Sequence, residues 1–174
     1  MLTIKISLTA SKNPVLMGTM KTKTIGLTAA CWLLAAGASF AANPMMGTWK
    51  FNDAKSKIAP GAGHQTTVVY TSAMVGKMKC TVDGVDPSGK PTHNEWTGKF
   101  DGKDYPVTGD PTSDARSYRM VNDRAYDISE KKNGKVVGNV RIVISADGKS
   151  RTVTIHGTTS AGKKFTNVEV YDKA

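Results

Sequence analysis

The sequence predicts an all-β domain, an up-and-down antiparallel meander of about 8–10 strands closing into a barrel. Three observations predict it. First, a small or polar residue followed by Gly-Lys recurs at Ser88-Gly89-Lys90, Asp101-Gly102-Lys103, Asn133-Gly134-Lys135, Asp147-Gly148-Lys149 and Ala161-Gly162-Lys163. Glycine lacks a Cβ and reaches the positive φ angles that tight hairpin turns need. The last three of these glycines stand 14 residues apart, a spacing that suits consecutive hairpin strands and leaves little room for a helix. Second, apolar residues alternate with polar ones. Val140, Ile142 and Ile144 share a face, as do Val153 and Ile155, and Val168 and Val170, while Arg141, Thr152, Thr154 and His156 fall between. Third, no stretch sustains a helical period with caps, and at most a single turn is expected over residues 53–57.

The elements follow in order. Residues 47–52 form the first strand. Residues 65–73 are rich in β-branched side chains, whose stiff χ1 suits a pleated surface, and form the second. Strands at 78–83, 92–100 and 103–107 come next. Residues 115–121 and 125–131 flank an Asn122-Asp123 turn, and 135–145, 151–157 and 164–172 complete the set. Further turns are expected at Val75-Gly76 and Gly109-Asp110-Pro111. A sheet apolar on one face must fold over or close, and sequential hairpins favour a barrel, which also removes exposed edges. The longest non-strand segment, 53–63, is expected to be a lid, with Ile58 and Pro60 closing the mouth.

Residues 1–41 read as an N-terminal extension and secretory signal peptide, with the start expected at Met20. Lys21 and Lys23 form a basic n-region, 25–36 an apolar h-region, and Ser39-Phe40-Ala41 supplies small residues where the signal peptidase reads. The h-region is shorter than the roughly 20 apolar residues of a membrane span. Cleavage after Ala41 would leave a single domain, 42–174, with no membrane anchor, in the periplasm or outside the cell. It would remove Lys5, Lys12, Lys21 and Lys23 and no acid, taking the formal charge from +10 to +6. Of the two cysteines only Cys80 would remain, so no internal disulfide forms; its alternation with Met78 and Val82 points it inward.

Gly47-Thr48-Trp49 on the first strand resembles the G-x-W signature of the lipocalin-like (calycin) barrels. The resemblance implies a barrel with Gly47 and Trp49 at its base, Trp49 plugging the closed end. A late basic residue packs on that Trp in the family, and Lys173 is the one this chain offers. The wider run from Gly47 to Asn52, Ala54-Lys55-Ser56-Lys57, Pro60-Gly61, Asp83-Gly84-Val85-Asp86, Gly89-Lys90-Pro91-Thr92 and the stretch from Asp101 to Gly109 resembles a group of small exported bacterial proteins of unknown function. That likeness covers nearly all of 42–174 and implies fold and export, not mechanism.

No chemistry stands out. His93 and Glu95 share a face of one strand, but Trp96 is expected inward, which puts both outside; no metal is expected. Ser, His and Asp occur without a G-x-S-x-G elbow or another nucleophile context, and the Gly-Lys pairs lack the glycine spacing of a phosphate loop. No enzyme activity and no cofactor are therefore expected. Most lysines sit singly at turns with no aromatic ladder, so nucleic acid is not the expected partner. Charged mid-strand residues exclude an outer-membrane barrel.

The leading expectation is a soluble monomer whose barrel holds a small apolar or amphipathic ligand, since a barrel of this size is where side chains stop filling the interior. The candidate cavity is lined by Val69, Met78, Cys80, Val82, Trp96, Phe100, Tyr118, Met120, Ile142 and Ile144. Arg116 and Arg119 lie on opposite faces of one strand, so one points in. The alternative is a packed barrel that binds a protein or an acidic envelope polymer through its loops, as an exported inhibitor would. The two differ in whether the barrel is hollow.

Overall fold

A computed structural model describes residues 43–74, 76–158 and 162–174, within the compact unit Ser39–Ala174. The expected signal segment, Val75 and Ala161 lie outside the described residues.

Ten antiparallel strands follow one another: β1 (Gly47–Phe51), β2 (His64–Ser72), β3 (Met78–Val85), β4 (Pro91–Gly98), β5 (Asp101–Thr108), β6 (Ala115–Asn122), β7 (Ala125–Lys132), β8 (Lys135–Ile144), β9 (Ser150–Thr158) and β10 (Lys164–Lys173). Each pairs with its sequence neighbours, and β1 also pairs with β10, so the meander closes into a barrel. The β7–β8 hairpin shows why the turn residues dictate this. Asn133 and Gly134 take φ of 50° and 74°, which other residues adopt at a cost, and their twist matches that of the flanking strands.

Closure at β1 needs help, because β1 has only five residues and three register pairs with β10. The segment after it continues the seam. Asn52 caps a 3-10 turn, Asp53–Lys55, through a 3.2 Å bond from the Lys55 N–H. Lys57 then exchanges backbone hydrogen bonds with Val168, at 2.7 and 2.9 Å. The expected lid is thus largely a strap stitched to β10, with Ile58 half-buried and Pro60 exposed on it.

Two face assignments are corrected. Val69 stands on the outer face, between the buried Val68 and Tyr70. Val68 pairs with Val82 and Tyr70 with Cys80, all four buried, so the residue between them points out. On β10 the inward residues are Phe165, Asn167, Glu169 and Tyr171, not Val168 and Val170. A polar pair can face inward here because its hydrogen bonds are met inside, as described next.

Candidate functional site

The closed end is built on Trp49, which is fully buried and donates its indole N–H to the Met45 carbonyl at 2.8 Å. The Arg151 guanidinium, 2% exposed, stands over three rings, with its central carbon 4.6 Å from the Tyr171 centroid, 5.0 Å from Trp49 and 5.5 Å from Tyr70. Lys173 Nζ lies 5.0 Å from the same indole and donates to the Pro44 carbonyl. Two cations therefore lie within cation–π range of the Trp49 ring. Ring quadrupoles offset part of the cost of burying Arg151, yet its Nε finds no hydrogen-bond partner among the described residues.

Glu169 neighbours this box and is 1% exposed. Burial pushes its carboxyl up from the ordinary 4.5 to about 7, against the Tyr171 hydroxyl that donates to it, the Arg151 charge and the Asn167 amide. Asn167, also buried, accepts the Ala59 N–H of the strap at 2.9 Å. The polar face of β10 is satisfied in this way.

Above the box the interior is aromatic. The Trp96 centroid lies 4.2 Å from Tyr118, 5.9 Å from Tyr105 and 6.2 Å from Phe100. Phe100 stacks on Tyr118 at 5.3 Å, and the Tyr70 ring meets Tyr118 edge-on. Gly98 makes this possible, since a Cβ there would lie 2.5 Å from both the Trp96 and Tyr105 rings. Cys80 is buried against the Tyr118 hydroxyl, 3.9 Å away, and burial pushes its thiol up.

A second buried cation, Arg116, fastens the β5–β6 loop. Its Nη2 donates to Asp110 at 2.6 Å and its Nη1 to Asn94 at 3.0 Å. Its Nε lies 3.1 Å from a Glu130 carboxylate oxygen without hydrogen-bonding alignment. Burial opposes the Arg116 charge, but Glu130 and Asp110 outweigh it and hold the guanidinium ionised. Asp110 is held below the usual carboxylate range despite burial, by Thr112, Ser113 and Arg116; Glu130 is pushed up, because burial outweighs its pairing.

Cys80, Val82, Trp96, Tyr118, Ile142 and Ile144 are buried in the barrel. Phe100 and Met78 are half-buried, and Phe100 packs on the core. Met120 shares the phase of Tyr118 but runs out of the barrel end and is 51% exposed. Of the two arginines on β6, Arg116 points in. Sequence reasoning missed Arg151, Glu169, Asn167 and Tyr171. A signal existed, since Arg151 shares the parity of Val153 and Ile155.

His93 and Glu95 face outward; His93 Nδ1 lies 2.7 Å from Asp83 and its Nε2 3.8 Å from Glu95. Among the described residues no group of three or more His, Cys, Asp or Glu is set to hold a metal ion.

Two depressions open on the outside. One, of about 770 Å³, lies at the closed end beside Asn43, Pro44, Met120 and Tyr126. The other, of about 560 Å³, lies on the outer face of β6–β9 around Arg119, Asp127 and Arg141.

No protein-family model matches the chain, and no curated protein matches it. A solved structure of EF1p2_mFAP2b bound to DFHBI is similar over 77% of this chain and 97% of that chain, at 11% identity and a TM-score of 0.44.

Proposed function

We propose that this chain is an exported, non-catalytic binding barrel whose interior is a packed scaffold and whose partner, a protein or an acidic envelope polymer, is engaged from outside. The observation that supports this reading is the burial of the interior. A side chain lining a void wide enough for water exposes surface to it. Trp49, Tyr70, Cys80, Trp96, Tyr118, Ile142, Val153 and Tyr171, which line the barrel from several strands, are each 4% exposed or less. Arg116, Arg151 and Glu169 are likewise each 4% exposed or less. Export to the periplasm or beyond rests on the signal-like residues 20–41.

One observation favours a second reading, a small apolar or amphipathic ligand. Where the strap crosses the barrel, Phe51, Ile58, His64, Ile155 and Phe165 are only half-buried. A ten-strand antiparallel barrel is compatible with small-molecule binding, and such a ligand would have to enter at this end by lifting the strap.

Native mass spectrometry of the protein purified from the periplasm of a bacterial host separates the two. The packed reading expects the bare chain mass, with Ala42 as the first residue, and no shift on adding lipids or small apolar compounds. An extra mass lost on denaturation would establish the ligand-carrier reading in its place.

A further inference from the structure

The depression on the outer face of β6–β9 has an order that a solvated sheet face does not require. Register sets two rows of side chains across it. In the first, Arg119, Asp127, Arg141 and Thr154 stand opposite one another on β6, β7, β8 and β9. In the second, Ser117, Ser129, Asn139, His156 and Thr166 run from β6 to β10. Neighbouring strands are about 4.8 Å apart, so each row offers one side chain per strand at a spacing close to that of a single sugar ring.

Within the first row one carboxylate fixes two guanidiniums. Asp127 Oδ2 accepts from Arg119 Nη2 at 2.7 Å, and its Oδ1 accepts from Arg141 Nε at 2.7 Å. The set carries two positive charges against one negative. Asp101 stands opposite Arg119 in the register and keeps its negative charge, but its oxygens accept from the Lys103 N–H and the Tyr105 hydroxyl rather than from a guanidinium. Arg119 and Arg141 remain 68% and 56% exposed at the side chain, with donors to spare and their planes already oriented. A guanidinium held this way matches a carboxylate fork to fork. The β6–β9 outer face carries no Phe, Tyr or Trp, so it has no platform on which bases or neutral sugars would stack.

The geometry points to this face as a binding site for a linear acidic polysaccharide, its carboxylates taken by Arg119 and Arg141 and its hydroxyls by the Ser117–Ser129–Asn139–His156 row. This deepens, and rests on, the reading that the barrel binds from outside, and moves the contact from the loops to the sheet.

The test is titration of the secreted protein with a short oligogalacturonate at low salt, followed by calorimetry, beside neutral dextran and single-stranded DNA. The exchange R119Q/R141Q should weaken binding about tenfold or more, as expected for two charge-assisted contacts. The pair K50A/K79A removes the same charge from β1 and β3 and should change affinity less than about twofold. Near-ultraviolet circular dichroism checks that each variant folds, and should R119Q/R141Q not fold, Arg119→Gln and Arg141→Gln are read singly. Equal losses in the two pairs, DNA binding as tight as the oligouronate, or no binding by the unaltered protein would each overturn the site. None of these touches the packed-barrel reading, which the native mass decides.

Discussion

Glu169 makes the stability of this barrel depend on pH in a direction opposite to that of most carboxylates. Its carboxyl is raised from 4.5 to about 7 in the fold, chiefly by burial. Between those values the folded protein holds a proton that the unfolded chain has released. The contribution is therefore fully present below about pH 4.5 and is lost as pH rises through about 7. At 1.36 kcal/mol per pKa unit the loss amounts to about 3 kcal/mol. The groups facing Glu169 set this balance: Tyr171 and Asn167 on its own strand, Arg151 on β9 and, further off, Glu130 on β7. Glu169→Gln removes the titration and keeps a side chain of nearly the same shape. Urea unfolding followed by tryptophan fluorescence at several pH values from 5 to 8 gives the comparison. The unaltered protein should lose stability relative to the variant as pH rises, by about 2–3 kcal/mol across the range. Parallel curves for the two proteins would refute the reasoning.

Other predictions follow from the same contacts. Arg151→Met keeps the volume among Trp49, Tyr70 and Tyr171 but removes a charge that stabilises ionised Glu169; the pH at which stability falls should move upward, read from the same unfolding series. Trp96→Ala should cost about 3–5 kcal/mol in urea unfolding, because it empties the centre of the aromatic cluster. Gly98→Ala, which forces a Cβ to 2.5 Å from the Trp96 and Tyr105 rings, should cost about 1–3 kcal/mol. Cys80, buried and raised in pKa, should resist a thiol reagent in the native protein and react fully once unfolded, in an absorbance assay.

The fold was legible because its determinants are local. Asn133-Gly134 supplies its own turn geometry, and alternation on β8 and β9 marks Ile142 and Val153 as inward without reference to any partner. Legibility failed where tertiary context decides. On β2 three apolar residues, Val68, Val69 and Tyr70, follow one another, so hydropathy leaves the phase open, and the pairing of Val68 with Val82 and Tyr70 with Cys80 sends Val69 outward. On β10 hydropathy favoured Val168 and Val170, whereas the barrel takes Glu169 and Tyr171 inside, since Arg151 comes from another strand and Ala59 from the strap. The G-x-W resemblance implies Trp49 at the base; in the structure its side chain is fully buried, with Arg151 Cζ and Lys173 Nζ each 5.0 Å from its ring. Whether the barrel was hollow lay beyond the sequence, because filling depends on how Trp96, Phe100, Tyr118 and Tyr126 meet, not on their count.

Diffraction from a crystal held under xenon pressure probes the filled interior directly. Xenon enters apolar voids that side chains leave open. A packed barrel takes up no xenon among Trp49, Tyr70, Trp96, Tyr118 and Tyr171; a well-occupied xenon site between those rings would overturn the packing and restore the barrel interior as a place for cargo.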